Sequence, residues 1–129
     1  MDGLRIDGLR MKRIYEPWSE TDGYRILVDR IWPRGVPKEK AQVDEWITVI
    51  TPSTALRKAF NHDPEKMAWF RSAYLAELSA NEHADAFLSG IHQRLSAGPV
   101  TLLTAARDSV YNHVVILIDW IKQHDPSNN

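Results

Sequence analysis

The chain has 129 residues, 43% of them apolar and 26% charged, which suits one globular domain and argues against a disordered chain. A formal net charge of −1 gives no global field toward nucleic acid, and the lack of cysteine excludes disulfides, thiolate metal sites and thiol nucleophiles. The longest apolar run, residues 114–118, falls far short of the ~20 residues a membrane-spanning helix needs, so no membrane role is expected and the localisation implied is cytoplasmic.

Residues 1–10 read as a flexible N-terminal extension. They repeat Asp-Gly-Leu-Arg twice, carry no apolar period and lack the apolar stretch of a signal peptide. Their removal is expected to leave the fold nearly unchanged. Residues 11–129 then form a single α/β domain. Residues 11–15 are partly β-branched and end at Glu16-Pro17, which predicts a first strand. Residues 19–23 make a polar turn. Residues 24–28, with Ile26, Leu27 and Val28 contiguous, predict a strand covered on both faces, as in a parallel sheet. Trp32-Pro33-Arg34-Gly35 is a loop, because Pro and Gly interrupt both kinds of regular structure.

Residues 46–50 are an apolar patch read as an edge strand. Pro52-Ser53 opens a short helix that runs to Phe60, and Asn61-His62-Asp63-Pro64 stops it and starts the next one. That second helix extends to about Ala80 with Met67, Phe70, Tyr74 and Leu78 as its buried stripe. Asn81 begins a third, whose apolar face is Ala84, Phe87, Leu88, Ile91 and Leu95, and Gly98-Pro99 ends it. Residues 100–104 are a second buried strand, residues 105–111 a loop, and residues 112–123 a last helix. Trp69 and Trp120, both on apolar-rich helices, are expected to pack in the core. Strands alternating with helices predict an α/β fold, one compact domain with a largely parallel sheet flanked by helices.

In open parallel sheets, ligands bind beyond the carboxyl ends of the strands. One strong strand runs into Asp29-Arg30-Ile31-Trp32-Pro33-Arg34-Gly35. The other runs into Ala105-Ala106-Arg107-Asp108, with Asn112 and His113 opening the last helix. Each loop supplies a carboxylate and an arginine, and the second adds an imidazole at a helix N-terminus. Arg30, Arg34, Arg107, Asp29 and His113 are therefore expected to converge on one pocket. Asp29, Asp108 and His113 are the candidate catalytic groups, and Arg30, Trp32, Arg34, Arg107, Asn112 and His62 the candidate substrate contacts. Each has a plainer reading beside it: Asp29 as a structural ion pair, Asn112 as a helix cap, Trp32 as a loop pin, His62 as part of a turn, His113 as a surface histidine. Arg25, Arg30, Arg34, Lys38 and Lys40, against Asp29 and Glu39, form either a solvated basic face or an anion site. The five histidines show no metal-ligand spacing, and glycine-rich phosphate loops and nucleophile elbows are absent, so no metal and no cofactor are expected.

The segment Tyr24-Arg25-Ile26-Leu27-Val28-Asp29-Arg30-Ile31-Trp32-Pro33-Arg34-Gly35 resembles the YeaO-like branch of the domain of unknown function 488 family. The match continues through Lys38-Glu39-Lys40, Asp44-Glu45-Trp46, Pro52-Ser53, Leu56-Arg57 and Phe60-Asn61-His62-Asp63-Pro64. It ends in the stretch 98–108 and in Asn112-His113, and covers nearly everything after Met11. The resemblance implies a compact α/β fold of bacterial or archaeal, cytoplasmic type, and names no function. Other branches carry Cys-His-Arg where this chain has Asn112-His113-Val114, so thiol chemistry does not carry over.

The leading expectation is an enzyme that acts by hydrolysis or group transfer on a small anionic, nucleotide-like substrate. Arginines would hold the anion bidentately, a carboxylate would serve as base and His113 as acid or second base. The alternatives are a non-catalytic anion- or nucleotide-binding module and a nucleic-acid-associated protein, the last disfavoured by the near-neutral charge. Oligomeric state is open.

Overall fold

The computed structural model describes residues 8–124. Its sheet has four parallel strands in the order β1-β4-β2-β3. These are β1 (Leu9–Arg13), β2 (Tyr24–Leu27), β3 (Glu45–Trp46) and β4 (Val100–Thr104). A one-turn helix, α1 (Lys38–Ala41), precedes β3, and α2 (Thr54–Phe60), α3 (Met67–Ala80) and α4 (Ala84–Ala97) follow it; α5 (His113–Gln123) comes after β4.

The alternation of side chains along each strand divides the core in two. Leu9, Ile26, Val28, Val100 and Leu102 face α2 to α5 and join Phe60, Phe70, Tyr74, Ile91, Leu95, Leu117 and Trp120 in the larger cluster. Leu27, Leu103 and Ile14 face the other way and pack against Ala41, with Trp32, Val36 and Val43 from the 29–44 segment. Helices α2 to α5 thus cover one face, and a loop with one helical turn covers the other. That loop carries Pro33, Gly35 and Pro37, and a single turn is too short to show a helical period, so α1 leaves no mark in the sequence.

The second face also holds an ion cluster. Asp22, at 3% exposure, accepts hydrogen bonds from Lys12 Nζ, Arg25 Nη1 and the Ser19 amide. Arg25, at 2% exposure, donates further to the carbonyls of Gln42 and Ala41, so it belongs to this interior cluster rather than to a basic surface.

Most predicted elements appear where the sequence puts them. Ser53 caps α2 through the Leu56 amide, Asn61 ends it in a left-handed conformation, and Asp63 caps the turn that leads into α3. The buried face of α4 is Ala84, Phe87, Leu88, Ile91 and Leu95, as read from its spacing. Three details differ. β1 begins at Leu9, which is buried and pairs with Val100, while Arg10 pairs with Thr101; the expected boundary at Arg10 therefore falls inside a strand. Residues 1–7, the rest of the expected extension, lie outside the described residues. The patch at 46–50 supplies an edge strand of only two residues, Glu45–Trp46. Trp69 is 49% exposed, since it lies about 100° around the helix from Phe70 and so off the buried stripe, whereas Trp120 is buried as expected.

Candidate functional site

β4 lies between β1 and β2, and Leu27 is level with Leu103. Val28 N–H donates to the Leu103 carbonyl at 3.0 Å, so the two strands leave the sheet side by side. Their loops wall a cavity of about 1140 Å³, closed on the other sides by the 51–54 turn, α2, residues 61–62 and the start of α5. Asp29, Arg30, Trp32, His62, Arg107, Asp108, Asn112 and His113 all line it. Arg34 does not. The loop closes when Trp32 Nε1 donates to the Val36 carbonyl at 2.7 Å, and Gly35 turns the chain at φ +78°, which leaves exposed Arg34 at the apex. Its backbone carbonyl accepts from the Tyr15 hydroxyl.

Asp29 is held from two sides: its Oδ1 accepts from the Thr104 hydroxyl and its Oδ2 from the Ala105 amide, both at 2.7 Å. The carboxylate thus ties the end of β2 to the end of β4. His113 meets the same junction. Its Nε2 lies 2.7 Å from the Val28 carbonyl and 3.4 Å from Asp29 Oδ1, and both neighbours are acceptors, so Nε2 carries the proton. Burial drives the pKa of His113 below the usual histidine value; Asp29 and the Val28 carbonyl push it back up, and Arg57 and His62 lower it again. The net direction is down, which leaves a neutral ring with Nδ1 as a free acceptor.

Asp108 and Asn112 shape the start of α5. Asp108 Oδ1 accepts from the amides of Val110 and Tyr111, and those two bonds hold its carboxyl below the usual aspartate value. A carboxylate stabilised in this way is a weak base. Asn112 caps the helix through the Val115 amide and donates to the Asp108 carbonyl at 2.6 Å, which satisfies its plainer reading as a cap. Trp32, besides its bond to Val36, meets Trp46 edge-on at 5.4 Å, and Lys38 Nζ sits over both rings. It pins the loop and still presents one side to the cavity.

Cations outnumber the available carboxylates here. Arg30 spends Nε and Nη2 on the carbonyls of Pro52 and Thr51, which clamps the β2 loop to the turn before α2. Arg107, from the loop after β4, is exposed and lines the cavity. Arg57 and Lys58 line the cavity as well, from α2. The strand-end rule points only to loops and so misses them; the available signal was Arg57-Lys58 on the polar side of a short helix whose other side is Leu56 and Phe60. Phe60, Phe70, Ile31 and Pro33 give the cavity an apolar side. Among the described residues no group of three or more histidine or acidic side chains is arranged to hold a metal ion. No helix of the described residues is long and apolar enough to cross a membrane.

The family described as the inactive DUF488-N3 subclade matches residues 8–129. Among relatives, uncharacterized protein YeaO of Escherichia coli (strain K12) is 46% identical over 114 residues, covering 88% of this chain and 96% of that protein. Uncharacterized proteins Mb3100c of Mycobacterium bovis and Rv3073c of Mycobacterium tuberculosis (strain H37Rv) are each 37% identical over 114 residues, 88% of this chain and 93% of theirs. No solved structure matches the chain.

Proposed function

The chain belongs to the DUF488 family, in the subclade described as inactive, and from that premise we propose that it is a non-catalytic module that binds a small anionic, nucleotide-like molecule in the cavity beyond β2 and β4. The observation that carries this reading is an imbalance of commitments. Arg57, Lys58 and Arg107 make no ion pair among the described residues, while the carboxylates of Asp29 and Asp108 already accept from local donors. Guanidinium groups match phosphate and carboxylate oxygens in pairs, and Trp32, Phe60 and Phe70 offer an apolar wall to a ring.

This reading stands ahead of the hydrolytic or group-transfer enzyme expected from the sequence. General acid–base catalysis needs an acid and a base that reach one common point. Asp29 is spent on Thr104 and Ala105, and Asp108 is held ionised by two amides. The pair His113–Asp29 at 3.4 Å is the one feature that favours catalysis.

Calorimetric titration of AMP and of inorganic phosphate into the full chain tests the proposal. Binding of AMP, weakened by roughly tenfold in Arg57→Ala and in Arg107→Ala and with AMP recovered intact, is the expected result. Recovery of adenine, adenosine or another product would replace the binding reading with the enzymatic one. Absence of binding to wild type would reject both.

A further inference from the structure

The cavity contains one polar atom whose hydrogen-bond character is fixed by its surroundings. His113 Nε2 faces the Val28 carbonyl at 2.7 Å and the Asp29 carboxylate at 3.4 Å, so it must donate. A neutral imidazole with Nε2 protonated has an acceptor at Nδ1. That atom makes no hydrogen bond to a described residue, is not sealed from the surface, and belongs to a side chain that lines the cavity. Arg57, Lys58 and Arg107, which line the same cavity without an ion pair among the described residues, are donors, and Asp108 there keeps a carboxylate oxygen, Oδ2, beside the Oδ1 that accepts from Val110 and Tyr111.

On the premise that the cavity binds an anion, we infer that His113 sets its specificity by accepting a hydrogen bond at Nδ1, so that the ligand is an anion with a hydroxyl beside its charged group, of the class of sugar phosphates and nucleotide riboses. A fully ionised anion without such a donor would bring a lone pair against the Nδ1 lone pair. A hydroxyl resolves that clash, because it donates to Nδ1 while the phosphate oxygens accept from the arginines.

The surroundings keep the ring in this state. Asp29 faces it from the end of β2, Arg57 from α2, His62 from the loop after α2, and the ring of Tyr74 on α3 meets it edge-on at 6.4 Å. Desolvation outweighs Asp29, and the two neighbouring basic groups oppose a second proton. Acid would reverse the selection: once protonated, Nδ1 donates, and the preference for a hydroxyl is lost. The phosphate itself loses charge in acid, but that change acts on all monoesters alike and cancels in a ratio.

The test compares affinities of ribose 5-phosphate, glycerol 3-phosphate and methyl phosphate for the full chain at pH 8. At least one hydroxylated ester is expected to bind about tenfold tighter than methyl phosphate, the scale of one net hydrogen bond. In His113→Phe the ratio should fall to about one. Because that variant also removes the donor to Val28, the wild type is titrated as well, downward from pH 8, and the ratio should decline toward one below the usual histidine range. Equal affinities for all three esters in wild type at pH 8, or a ratio that ignores both pH and the substitution, would overturn the role of His113 and leave anion binding standing. No binding of any ester would remove the anion reading and this inference together.

Discussion

Single side chains divide into those that hold the site together and those left for a ligand. Asp29 is of the first kind. Asp29→Asn leaves one acceptor oxygen for the two donors and should cost about 1–3 kcal/mol of stability, measured as a lowered denaturation midpoint. Arg57 and Arg107 are of the second kind. They are exposed and free of ion pairs among the described residues, so alanine at either position should change stability by no more than about 0.5 kcal/mol while weakening AMP binding. Arg34 supplies the contrast: at the apex of its loop and off the cavity lining, its removal should leave both stability and AMP binding unchanged. The sequence marks Arg34 and Arg107 alike, since both follow a strong strand in a loop. What separates them is the Trp32–Val36 hydrogen bond and the turn at Gly35: Pro33 and Gly35 mark a turn in the sequence, but not on which side of it the cavity lies.

At the scale of elements, helix faces and caps were legible because they depend on spacing and on near neighbours in the chain. Strand ends were less so. β1 starts at Leu9, where an Asp-Gly-Leu-Arg echo hides the strand, and only its pairing with β4 reveals it. Leu9→Ala should therefore cost about 2–5 kcal/mol, and removal of residues 1–10 should lower the melting temperature, contrary to their reading as a dispensable extension. Trp69 and Trp120 provide a paired check. Trp120 is 4% exposed and stacks near Phe87, so Trp120→Ala should cost about 3–5 kcal/mol. Trp69→Ala, on the open side of α3, should stay within about 0.5 kcal/mol, as read by urea denaturation of both variants.

At the scale of the whole molecule, the buried cluster opposite the helices makes stability sensitive to acid. Burial raises the pKa of the Asp22 carboxyl, but hydrogen bonds from Lys12, the Ser19 amide and Arg25 outweigh it, and the net shift is downward from 3.8. A depressed folded-state value contributes stability above the unfolded value, and that contribution is lost as pH falls from about 4 through the folded value. Asp22→Asn should thus be less stable than wild type at neutral pH, by about 3–5 kcal/mol for a broken buried pair, yet show a shallower loss of stability below pH 4. An equal acid slope in both proteins would show that another carboxylate governs the transition.

The two loops of the site became one cavity because β2 and β4 are neighbours, a long-range pairing on which the sequence carries only the expectation of a parallel sheet. The account's central claim is that this cavity holds an anionic, nucleotide-like molecule and leaves it unchanged. Phosphorus NMR of AMP with a stoichiometric amount of the full chain tests both halves at once. A broadened or shifted AMP resonance, with no new signal over a long incubation, is the predicted result. An unperturbed resonance would deny the binding, and a growing product resonance would deny the inactivity.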